Sequence, residues 1–237
     1  MLNAWRMAHI AAGAVALATF WIPLVTFKGG RIHCGAGLVY AWSMLVVVVA
    51  AIGAAAWRLL YGMDTAARSR SVFLSFIALL TFAAGWNGLR ALRTKRRAGP
   101  SADPLDLLPS AALAFGGAAM ALWGLASGFR LLPMIFGTLG AVLGGQQLAE
   151  WRSTPTDPHH WVYQHLRGMI IACIGTVTAF LVVNARQVGL ATFGVTVWVL
   201  PGIAGGIGIG VLRGYYGRRF ARPGEVVIAQ DRAMGAS

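Results

Sequence analysis

Residues 33–57 read HCGAGLVYAWSMLVVVVAAIGAAAW, a stretch without one Asp, Glu, Lys or Arg. A helix needs about 20 apolar residues to cross the hydrocarbon core of a bilayer, and this run supplies them. Six further stretches are long and apolar enough to do the same: 8–27, 72–92, 108–127, 131–150, 162–184 and 190–212. Within lipid an open chain satisfies every backbone N–H and C=O only as a helix. The expected fold is an all-α polytopic bundle of about seven spans. It occupies residues 1–222 as one domain, and residues 223–237 form a tail.

The composition agrees. Of 237 residues 57% are apolar and 11% charged, with mean hydropathy +0.66. A soluble domain carries roughly a quarter charged residues, because it needs a polar shell. The net charge of +13 does not argue for nucleic acid, since the basic residues sit in short links and the tail, where membrane topology accounts for them. Of the 20 Lys and Arg, six fall on one side: Arg6, Arg58, Arg68, Arg70, Arg130 and Arg186. The other fourteen, from Lys28 and Arg31 through the Arg90–Arg97 run to Arg232, fall on the opposite side or in the tail. By the positive-inside rule the tail is cytoplasmic and the N-terminus outside. Arg6, the apolar run after it and Ala16-Leu17-Ala18 imitate a secretory signal, but the segment reads as a retained first membrane helix. Cys34 and Cys173 belong to different depths, so no disulfide is expected between them.

Breakers mark the links. Lys28-Gly29-Gly30-Arg31 separates the first two spans, and Ser127-Gly128-Phe129-Arg130 turns between the fourth and fifth. The longest link, Arg93 to Leu107, contains Pro100, Ser101, Asp103 and Pro104 and divides a three-helix half from a four-helix half. Pro201 and many glycines leave the continuity of the last span open. There Gly202, Gly206, Gly210 and Gly214 recur every four residues as a glycine zipper, and Gly140 and Gly144 repeat the pattern in span five. Such ridges let backbones approach closely. The first reading is packing within the chain; the alternative is a homo-oligomer or a partner membrane subunit docked on the Gly202 ridge. Trp5, Trp21, Trp42, Trp57, Trp151 and Trp161 fall mostly near span ends, as interfacial belts do.

The chemistry-bearing residues gather at one depth. His33 opens span two, Asn87 nears the end of span three, Gln146, Gln147 and Glu150 close span five, and His165 starts span six. Alternating crossings put all of them near the same membrane face, the cytoplasmic one under the charge count. Glu150 is read as the one acidic residue in or at the end of a span. Three readings compete. In the first, His33 and His165 ligate haem b or a transition metal, with His160 and Glu150 as further metal ligands and Arg31 and Arg90 neutralising propionates. In the second, Glu150 and a histidine relay protons in a transporter whose path is lined by Asn87 and the glutamines. In the third, these groups cap helix ends. His9 and Asn184, toward the other face, read as an interfacial residue and a helix end.

Other templates fit poorly. The Gly202–Gly214 stretch lacks the Gly-Lys-Ser/Thr ending of a phosphate loop, and no Cys-x-x-Cys or His-Glu-x-x-His occurs. Seven-helix zinc amidohydrolases of the adiponectin-receptor and ceramidase type pair histidines four apart, whereas His160 and His165 are five apart.

One ordered set of residues is familiar as a pattern. His9-Ile10-Ala11-Ala12-Gly13 leads to Pro23, then Lys28-Gly29-Gly30-Arg31-Ile32-His33, Gly37 and Tyr40. Gly85-Trp86 follows, then Trp161, His165, Met169 and Thr178-Ala179-Phe180. This order resembles a family of bacterial multispanning proteins described only as predicted integral membrane proteins. The likeness covers about residues 5 to 186. Cys34 stands where that pattern usually has Arg. The resemblance implies a multi-pass protein of the bacterial cytoplasmic (inner) membrane and brings no activity with it. It draws attention to His33 and His165.

Overall fold

The structure, a computed structural model, describes residues 2–61, 64–128 and 130–221. The expected tail, 223–237, lies outside the described residues. All regular elements among them are helical: α1 (Leu2–Thr19), α2 (Trp21–Val25), α3 (Arg31–Tyr61), α4 (Thr65–Arg93), α5 (Pro104–Ala126), α6 (Leu131–Arg152), α7 (His160–Val183) and α8 (Val195–Phe220). Seven crossings are long and apolar enough for a bilayer, α1 and α2 together making the first. The chain is a multi-pass membrane protein.

Local chemistry explains the boundaries. Pro23 lacks the N–H that would bond the Thr19 carbonyl, so the first crossing breaks there into α1 and α2. Gly29, at φ +80°, turns the chain into α3. Asp64 caps α4 by accepting from the amides of Ala66 and Ala67. Asp103 caps α5 through the Leu105 amide, with Pro104 in the first helical position. Pro201 leaves α8 continuous from Val195 to Phe220. At about 1.5 Å per residue α3 is roughly 46 Å long, well beyond the hydrocarbon core, so it tilts or projects.

Glycines set the packing. On α5 and α6, Gly117 faces Gly137 and Gly140 so closely that a Cβ on it would come 2.7 Å from the Gly137 carbonyl, and Gly124 faces Pro133 and Met134. On α4 and α7, Gly88 meets Gly168, and Gly175 meets Thr81. Around these crossings Phe73, Phe76, Leu80, Leu113, Met120 and Ile171 form one core, and Ala16, Phe20, Tyr40, Ala172 and Cys173 a second. The α1–α2 segment lies on α3, α3 on α4, α4 on α7 and α7 on α8, while the α5–α6 hairpin packs against α4.

Two expectations need correction. The span-five glycines pack as expected, but among the described residues nothing packs on the α8 ridge: a Cβ on Gly202, Gly206 or Gly210 would meet none of their atoms within 4 Å. The α8 glycine in close contact is Gly205, against Ile174. Trp151 is not a belt residue, being 1% exposed beneath the guanidinium of Arg97. No disulfide forms; Cys34 is exposed and Cys173 buried.

Candidate functional site

One end of the bundle collects the α2–α3, α4–α5 and α6–α7 links and the end of α8. His33 and His165 meet there, with ring centroids 6.5 Å apart and planes at 66°. Each ring is held from behind. His33 Nδ1 lies 3.1 Å from the Pro23 carbonyl, one of the last-turn carbonyls of α2 that lack helical partners. His165 Nδ1 lies 2.9 Å from the Gly88 carbonyl. That bond depends on the close α4–α7 crossing, where a Cβ on Gly88 would approach the His165 carbonyl to 3.1 Å. A carbonyl only accepts, so Nδ1 carries the proton in both rings. In the neutral tautomer Nε2 then keeps its lone pair. Lys28 completes the α2 terminus by donating to the carbonyls of Pro23 and Leu24, and burial moves its pKa down.

The remaining candidates do not join this pair. Arg31 begins α3 as an exposed residue. Arg90 is taken by Asp106 at 2.5 Å and Asp103 at 2.6 Å. Glu150 is bound bidentately by Arg167, at 2.6 and 2.5 Å, which ties α6 to α7. His160 is five residues from His165, about 140° round the helix, and its Nδ1 bonds the Asp157 carbonyl. Among the described residues no group of three or more His, Cys, Asp or Glu could hold a metal ion. The expected set His33, His165, His160 and Glu150 is therefore not assembled; what comes together is the histidine pair.

The polar cluster divides similarly. Asn87 and Gln147 are each 2% exposed, and both Asn87 amide atoms and Gln147 Oε1 lack hydrogen-bond partners among the described residues. Gln146 turns outward and is exposed, so it does not share in the interior. Sequence reasoning missed Gln164, 6% exposed beside His165, and Asp106, which lies inside α5. Glu150 is thus not the sole acidic residue of the spans. The signal for Asp106 was present in Asp103-Pro104-Leu105-Asp106, a capped helix start.

His9 Nδ1 bonds the Val47 carbonyl at 3.1 Å, linking α1 to α3, and Asn184 Nδ2 caps α7 through the Phe180 carbonyl. Arg97 closes the other end of the site region. Its Nη1 and Nη2 donate to the carbonyls of Gly99, Glu150, Trp151 and Ser153, so the guanidinium caps α6. Burial moves its pKa down. No family profile, curated protein or solved structure matches the chain.

Proposed function

We propose that this chain is a redox protein of the bacterial cytoplasmic membrane, related to the multispanning family it resembles. It holds a transition metal, as a bare ion or as the iron of haem b, between His33 and His165. The observation that carries this reading is the paired imidazole geometry. Metal-ligating histidines donate their second ring N–H to a carbonyl or carboxylate, which fixes the tautomer and raises ligand basicity. Both rings do this here. Their separation of 6.5 Å is close to the roughly 6 Å that two imidazoles need to share one ion at about 2 Å from each nitrogen. The bound group would supply reversible one-electron chemistry. The chain positions it, and Arg31 and the other cations of the same end face any propionates. With that basic end cytoplasmic, the N-terminus lies outside.

Purified protein from haem- and metal-replete cells tests the reading by absorbance, oxidised and reduced, together with elemental analysis. A Soret band identifies haem, and a stoichiometric metal without one identifies a bare ion. Either signal should disappear in His33→Ala and His165→Ala and persist in Glu150→Gln. A colourless, metal-free preparation would end the proposal.

A second reading is favoured by the open ridge of Gly202, Gly206 and Gly210: an accessory subunit, or a homo-oligomer, joined through α8. Gly206→Leu should then reduce the assembly size in detergent without unfolding the bundle. Equal size for both proteins would remove this reading. Glu150, already paired with Arg167, lends no support to proton-coupled transport.

A further inference from the structure

A cavity of about 550 Å³ opens between the end of α4 and the link leading to α5. That volume falls within the roughly 300–1,000 Å³ of small-molecule sites. Its walls carry four arginines, Arg90, Arg93, Arg96 and Arg97, against two carboxylates, Asp103 and Asp106. Both carboxylates are already engaged. Asp106 accepts from Arg90 Nε and from the Ser101 hydroxyl. Asp103 accepts from Arg90 Nη2 and from the Leu105 amide. Arg90 is thereby neutralised as part of the wall. Arg93 and Arg96 have no ion pair or hydrogen bond among the described residues. Arg97 is fixed to the end of α6, yet its Nε is buried without an acceptor. A neighbouring recess of about 350 Å³ shares Arg96 and Arg97 and adds Lys95 together with Asp157, whose carboxylate accepts from the His159 amide, so cations still outnumber carboxylates there.

We infer that this recess binds a phosphate group, presented by an anionic lipid headgroup or by a soluble phosphate compound. Guanidinium forks match phosphate oxygens in bidentate fashion, and two of these forks have no other partner. The recess lies at the ends of membrane helices, the level at which basic pockets meet headgroups. Positive-inside bias accounts for the number of arginines at this end. It does not account for an open recess whose carboxylates are occupied and whose fixed arginine keeps a buried unmet donor. The inference is independent of the histidine pair.

Native mass spectrometry of the full chain released from nanodiscs of mixed phosphatidylglycerol and phosphatidylcholine tests it, alongside thermal shift of delipidated protein with inorganic phosphate. Arg93→Gln/Arg96→Gln removes the two unpartnered forks and breaks no described bond. Arg6→Gln/Arg58→Gln removes two exposed cations from the opposite end. Lipid as the source predicts preferential retention of phosphatidylglycerol, reduced about 30-fold in the first double variant and unchanged in the second. A soluble source predicts saturable stabilisation by phosphate over chloride at equal ionic strength, lost in the first variant alone. If the two double variants behave alike, or if neither assay separates the first from the wild type, the site does not exist.

Discussion

Asp106 and Arg90 form the most deeply placed ion pair at the basic end, with side chains 1% and 12% exposed. Removing Arg90 leaves the buried Asp106 carboxylate without its paired cation, so Arg90→Gln should lower stability by about 3 kcal/mol in a detergent unfolding titration. A loss below about 0.5 kcal/mol would show that the pair is far better solvated than its burial implies. The histidine pair makes a different prediction. Under the proposed function only neutral imidazole ligates, so metal loading should fall as pH falls, measured by absorbance or elemental content at each pH. Loading that rises on acidification would exclude imidazole ligation. At this scale the sequence revealed which residue types share a depth, but not their partners. Glu150 looked like a lone carboxylate because Arg167 lies in the next helix, and the carbonyls behind His33 and His165 are backbone atoms that no residue pattern announces.

The α5–α6 hairpin gives an element-scale test in two adjacent residues. A Cβ on Gly144 would come within 2.7 Å of Ala114 Cα and 2.8 Å of the Ser110 carbonyl, whereas one on Gly145 would meet nothing within 4 Å. Backbone cannot give way cheaply, so Gly144→Val should destabilise by about 1–3 kcal/mol and Gly145→Val by much less, read as detergent thermal unfolding. Equal effects would place the close contact elsewhere. The helices themselves were legible from apolar run length. Their ends were less so, because caps extend helices into polar sequence: α4 begins at Thr65, not near 72, since Asp64 supplies the missing acceptors. The Gly202 ridge shows the limit of a small-residue pattern. It marks a face able to pack closely and says nothing of what lies against it.

For the whole molecule, alternation of crossings was the strongest inference available from sequence: it puts His33 and His165 at one end of the bundle, while their meeting depends on how the helices pack. Orientation is testable with the native cysteines. Cys34 is exposed at the basic end and Cys173 is buried. A membrane-impermeant maleimide should therefore label the protein in inverted vesicles and leave it unlabelled in right-side-out ones. The reverse pattern would invert the topology. The bond from His33 to the Pro23 carbonyl has one more implication. That ring fastens the first crossing to the second as well as facing His165, so its replacement by glycine should cost two separable things. Added free imidazole can refill a vacated coordination position, as a diffusible ligand does, but it is tethered to nothing. Under the proposed function the haem or metal signal should return to such a variant while the grip on the amino-terminal segment stays lost.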